Sequence, residues 1–90
     1  MPERHEGVVV KVVLDILKPH DPSIVEFAKE INAVKNVQRA DVSIVEVDAN
    51  TETVKLVVEG HAIKLEEVEA VVKRLGAAIH SVDQVVVEKR

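Results

Sequence analysis

The stretch Gly7 to Pro22, GVVVKVVLDILKPHDP, constrains the fold most, because it contains a long aliphatic strand, a polar turn and the start of a helix. Its β-branched residues favour a strand over a helix. Alternate residues share one face of an extended chain, and on one face all of them are apolar: Val8, Val10, Val12, Leu14 and Ile16. We predict that helices cover this face. The opposite face is mixed: Val9, Lys11, Val13, Asp15 and Leu17.

The residues after this strand predict a turn into a helix. Lys18 and Pro19 are expected to end the strand. Asp21 is a favourable N-cap residue. Pro22 suits the first helical position, where its missing N–H costs no hydrogen bond.

Apolar spacing predicts the remaining elements. Residues at helical spacing indicate amphipathic helices over 24–34 and 65–75, ended near Asn36 and by Gly76, respectively. Alternating residues indicate strands over about 40–47, 54–59 and 79–87. The apolar residues of the strand over 40–47 change parity, which predicts a β-bulge, and the last strand also fails to keep one parity.

The element order βαββαβ predicts an α+β, ferredoxin-like fold. Right-handed strand–helix–strand crossovers joined by a hairpin give a four-stranded antiparallel sheet, order 4-1-3-2, with both helices on one face. The opening strand is then central. We expect residues 7–90 to form a single domain and residues 1–6 a loosely held tail.

Composition excludes several classes of function. The chain has 90 residues and no cysteine, so disulfides and thiolate chemistry are absent. A net charge of −4 disfavours binding to nucleic acid. No apolar run is long enough to span a membrane, and a cytoplasmic protein is expected. Abundant Glu and Lys with a single Met also suggest thermostability.

The predicted topology gathers polar residues at the end of the sheet where the first strand finishes. Carboxylates and imidazoles are ligands for divalent cations such as calcium, magnesium or zinc. The alternative is that these are ordinary loop residues, with Asx turns and caps. The candidate metal ligands are Asp15, His20, Asp48, Asn50, Glu52 and His80.

The sheet face opposite the helices predicts an interface. It mixes apolar and charged side chains, as protein–protein contacts do. Association with further copies of the chain would cover this face without another partner. The alternative is a face that stays partly hydrated. The candidate interface residues are Val9, Lys11, Val13, Lys55 and Val57.

Three stretches give the chain a family resemblance: VVLDILKPHDPSIVEFAKEI, IVEVDANTETVKLVVEG and LGAAIHSVDQVVVEKR. They resemble an archaeal family of small uncharacterised proteins, domain of unknown function 211. The resemblance implies a ferredoxin-like fold, archaeal cytoplasmic origin and a homo-oligomer such as a ring, but no reaction. The family's recurring polar residues match Asp15, His20, Glu46, Asp48, His80 and Asp83.

Two functions are compatible with these patterns. The first is a non-enzymatic, homo-oligomeric binding or regulatory module, whose ligand, such as a divalent cation, lies at the acidic end of the sheet. The second is a metal-assisted enzyme that uses Asp15, His20 or His80 at a subunit interface. No catalytic residue is assigned.

Overall fold

A computed structural model describes residues 6–90, which form two helices and four strands. The order βαββαβ is confirmed. Of the predicted tail, residues 1–5 lie outside the described residues, and the Glu6 carbonyl accepts a 3.0 Å hydrogen bond from the Arg90 amide. The elements are β1 (Gly7–Pro19), α1 (Ile24–Asn32), β2 (Val37–Val47), β3 (Thr51–Gly60), α2 (Leu65–Arg74) and β4 (Ala78–Lys89).

The four strands form one antiparallel sheet in the order β2-β3-β1-β4, the predicted order counted from the other edge. β1 is central: Leu14 pairs with Leu56 of β3 on one side and with Val82 of β4 on the other. β2 and β4 are therefore the edge strands.

The core lies between the sheet and the two helices. Phe27 and Ile31 of α1 are fully buried, as is Val68 of α2. Their amphipathic spacing places these side chains over the apolar face of β1 and β3. The fully buried residues of that face are Leu14, Ile16, Val54, Leu56 and Val58.

A bulge changes the predicted face of the first part of β1. Val9 pairs with Val87 and Lys11 with Val86, so Val10 is the extra residue. Alternation predicted that Val9 lies on the open face, but in the structure it packs against the core. A strict period of two does not continue across a bulge.

The start of α1 also differs from the prediction. Its N-cap is Ser23, whose Oγ accepts a 3.2 Å hydrogen bond from the Glu26 amide. Asp21 and Pro22, joined by a cis peptide bond, precede the cap. The helix ends at Asn32, earlier than expected, while Asn36 adopts the predicted left-handed conformation (φ 72°) in the turn that follows.

The changes of parity in β2 and β4 correspond to bulges, as predicted for β2. In β2, Ile44 pairs with Val54 and Glu46 with Thr53, so Val45 is the extra residue. In β4, the registers leave His80 and Asp83 as extra residues opposite β1. Each bulge changes the direction in which the following side chains point.

Candidate functional site

A buried lysine marks the end of the sheet that the sequence predicts to be functional. The side chain of Lys18 is 0% exposed and lies on the helix side of β1, in phase with Leu14 and Ile16. Its Nζ donates to the Pro19 carbonyl (2.7 Å), the His20 carbonyl (3.5 Å) and Glu52 Oε1 (3.1 Å). These three acceptors match the three protons of an ammonium group.

Glu52 and His20 extend this contact to the hairpin between β2 and β3. Glu52 faces Lys18 directly in the β1–β3 register. Its second oxygen, Oε2, lies 3.0 Å from His20 Nδ1, and His20 Nε2 lies 3.0 Å from the Ala49 carbonyl oxygen. The Glu52 side chain is 14% exposed and that of His20 is 43% exposed. We call Lys18, Glu52 and His20 the lysine cluster.

The contacts in the lysine cluster stabilise the charged forms of His20 and Glu52. The hydrogen bond to Glu52, and then that to Ala49, raises the pKa of His20 above its ordinary value of 6.5. The hydrogen bonds from His20 and then from Lys18 lower the pKa of Glu52 below its ordinary value of 4.5. Hydrogen bonds to a charged form favour that form.

A small cleft opens on the other face of the sheet, away from the helices. It has a volume of about 190 Å³ and is lined by Asp15, Leu17, Thr53 and His80. Asp15 and Leu17 alternate with the core residues of β1, and Thr53 of the neighbouring strand β3 pairs with Leu17. The bulge in β4 at His80 brings an imidazole to the same cleft. We call this the Asp15–His80 cleft.

A family model described as "Uncharacterized ArCR", domain of unknown function 211, matches residues 10–90 of the chain. The chain belongs to this family. An uncharacterized protein of the archaeon Methanocaldococcus jannaschii is 38% identical over 80 residues, which cover 89% of this chain and 82% of that protein. The resemblance seen in the sequence is thereby confirmed.

In this member of family 211, the predicted metal ligands do not form one cluster. Within residues 6–90, no three His, Asp or Glu side chains are grouped so that they could hold a metal ion. Glu52 and His20 contact each other and Lys18, whose ammonium supplies the positive charge beside Glu52. We therefore assign no metal to the lysine cluster. Asp48 and Asn50 are exposed in the hairpin turn, and Asp15 and His80 line the separate cleft.

The lysine cluster predicts a non-additive effect of mutation. Lys18→Met leaves Glu52 with only the more exposed His20 as a cationic partner, and Glu52→Gln leaves the buried Lys18 ammonium beside neutral acceptors. Each single substitution should lower the free energy of unfolding, and the double substitution should cost less than the sum of the two, because it leaves no buried, unpaired charge at position 18 or 52. Urea unfolding of the four proteins measures this coupling; strictly additive losses would show that the Lys18–Glu52 contact contributes nothing.

Sequence reasoning treated Lys18 only as a residue that ends the strand. The alternation that places Leu14 and Ile16 in the core continues to residue 18, so the sequence already indicates that the Lys18 side chain is buried. A lysine at a core position needs acceptors, because an unpaired buried charge is very unfavourable. Glu52, directly opposite, was predicted to be a metal ligand, and in the structure it is the partner of this lysine.

The exposed apolar side chains of the described chain are concentrated at the edges of the sheet. Of the eight large apolar residues that are exposed within residues 6–90, six lie on edge strands. We call them the edge residues: Ile44, Val45 and Val47 of β2, and Val82, Val85 and Val87 of β4. They are 44–66% exposed.

The open face is less apolar than the sequence suggested. Val13 is only 8% exposed, and Val9 packs against the core. Lys55 is exposed, while Lys11 and Val57 are half-buried. The interface predicted at these residues stays a prediction. Most of the exposed large apolar side chains lie instead on the edge strands β2 and β4. Neither α1 nor α2, the helices within residues 6–90, is long and apolar enough to cross a membrane.

Proposed function

We propose that this family 211 protein is a cytoplasmic, homo-oligomeric binding or regulatory module of an archaeal cell. Its copies associate through the edge strands of their sheets. A small ligand binds at the Asp15–His80 cleft, which a neighbouring copy completes.

The observation that carries this proposal is the exposure of the edge residues. An edge strand has unpaired backbone N–H and C=O groups, and an apolar edge readily pairs with another chain. Exposed valines on both edges of one sheet are unfavourable in a monomer. A second copy can cover them, since every copy carries both edges.

Strand direction favours pairing between unlike edges. Each strand is antiparallel to its neighbours in the order β2-β3-β1-β4, so β2 and β4 run in opposite directions. Copies placed side by side in the same orientation therefore bring β4 of one next to β2 of another as an antiparallel pair. The strands match in length, with 11 residues in β2 and 12 in β4. A head-to-tail contact of this kind generates a ring when the rotation between copies closes.

The Asp15–His80 cleft supports a ligand role but is small for a complete site. Its volume of about 190 Å³ is below the roughly 300–1,000 Å³ of typical small-molecule pockets. His80 lies on the edge strand β4, where a neighbouring copy would add a further wall and further polar groups. A divalent cation held by Asp15 and His80 would draw its remaining ligands from that copy or from water.

A native mass spectrum of protein purified without chelators tests the proposal. We expect a single multiple of the 9.9 kDa subunit mass, with an added mass that Asp15→Asn removes and that Glu66→Gln, a control at an exposed carboxylate of α2, retains. A monomer would contradict the assembly. An oligomer with no added mass, or with one that survives Asp15→Asn, would contradict the ligand site.

A further inference from the structure

His20 contacts an acceptor with each of its ring nitrogens. Nε2 lies 3.0 Å from the Ala49 carbonyl oxygen, which can only accept, so Nε2 donates. Nδ1 lies 3.0 Å from Glu52 Oε2, and an ionised carboxylate also can only accept, so Nδ1 donates as well. Only the imidazolium ion carries a proton on both nitrogens. The geometry therefore requires His20 to be charged.

These two hydrogen bonds join segments that are distant in sequence. His20 belongs to the turn between β1 and α1, whereas Ala49 belongs to the hairpin turn between β2 and β3. The hairpin turn has its own hydrogen bond, from the Asp48 amide to the Thr51 carbonyl (2.8 Å). His20 Nε2 thus holds a turn that is otherwise exposed to solvent.

We propose that protonated His20 is a pH-dependent staple between the β1–α1 turn and the hairpin turn, and that loss of its proton releases the hairpin turn. Neutral imidazole has one N–H. The Glu52 carboxylate, being charged, keeps that proton on Nδ1. Nε2 then presents a lone pair to the Ala49 carbonyl oxygen, and the two repel.

The charged groups that affect the protonation of His20 come from the paired strands β1 and β3. Glu52 of β3 contacts it directly, and Lys18 of β1 lies on the far side of Glu52. From the hairpin turn, the backbone of Asp48 acts in the same direction as the Ala49 carbonyl and raises the pKa of His20. Lys18 keeps Glu52 ionised, and ionised Glu52 keeps His20 protonated. The staple is independent of the proposed assembly, because all its parts lie within one chain.

The staple predicts a limited pH range of stabilisation. His20 has a raised pKa, so its contribution to stability is complete below pH 6.5 and is lost as the pH rises through its pKa in the folded protein. Glu52, with a lowered pKa, contributes stability that is complete above 4.5 and is lost as pH falls through its folded pKa. The urea midpoint of the wild type should therefore exceed that of His20→Gln most between 4.5 and 6.5. A gap that stays constant from acid to alkaline pH would contradict the staple.

Nitrogen NMR of the histidine rings tests the proposal directly in the whole chain. We expect His20 to have a titration midpoint above pH 6.5, so that both ring nitrogens are protonated in more than half of the molecules at that pH, and the Ala49 and Asn50 amide shifts to follow the same midpoint. In His20→Gln, which replaces a side chain that is 43% exposed, the Ala49 and Asn50 amide shifts should no longer change with the His20 titration. They should resemble the shifts of the wild type at high pH. His61→Gln is the matched control and should leave the transition intact. A His20 midpoint at or below 6.5, or hairpin amides that do not follow it, would overturn the proposal.

Discussion

Phe27→Ala is expected to lower the free energy of unfolding by about 3–5 kcal/mol, the usual cost of removing a fully buried aromatic side chain. Phe27 is 0% exposed and is the only aromatic residue of the chain. Its ring packs in the core beneath α1, among aliphatic residues such as Leu14 and Leu56. The substitution removes a large share of the roughly 5–15 kcal/mol that stabilises a typical domain. Urea unfolding followed by circular dichroism measures the loss.

Val25→Ala is the matched control on the same helix. Val25 is 58% exposed, so its truncation should change the free energy of unfolding by less than about 0.5 kcal/mol. Equal losses for the two variants would mean that α1 does not bury the face containing Phe27. This result would contradict the packing of α1 on the sheet.

Lysine at the edge residues is expected to dissociate the proposed oligomer. Val45 of β2 is 66% exposed and Val85 of β4 is 49% exposed. If β4 of one copy pairs with β2 of the next, either Val45→Lys or Val85→Lys places an unpaired ammonium in a buried contact. Such a charge costs several kcal/mol, so association should weaken by about a hundredfold or more. Analytical ultracentrifugation of each variant measures this effect.

Ala70→Lys provides the control for the edge variants. Ala70 is an exposed residue of α2, outside the edge strands, and the substitution adds the same charge. It should leave the oligomer unchanged. An oligomer that survives both edge substitutions, or that Ala70→Lys dissociates equally well, would place the interface elsewhere. The open face with Lys11 and Lys55 would be the next candidate.

The arrangement of elements could be predicted from sequence because it follows from local periodicity and general rules of connection. The apolar alternation of β1 from Val12 to Ile16 and the helical spacing around Phe27 and Ile31 each specify a buried face. With those faces known, two right-handed crossovers leave one simple topology. The core and the strand order therefore agree with the prediction.

The details of the site depend on features that a periodic pattern does not contain. The bulge at Val10 moves Val9 to the core, and the bulge at His80 brings that residue to the cleft with Asp15. The extra residue of a bulge depends on the register of two strands, which the sequence of either strand alone does not determine.

The role of Glu52 also depends on register. Beside the buried ammonium of Lys18 it becomes half of an ion pair, whereas the composition of the loop alone suggested a metal ligand. Four of the predicted site residues form two separate groups on opposite faces: His20 and Glu52 in the lysine cluster, and Asp15 and His80 in the cleft.

Light scattering from the unmodified protein at micromolar concentration tests the central claim most directly. The exposed edge residues predict a mass that is a whole multiple of 9.9 kDa, with at least two copies and no decrease on moderate dilution. A mass of 9.9 kDa throughout that range would contradict the assembly and, with it, a ligand site completed by a neighbouring copy.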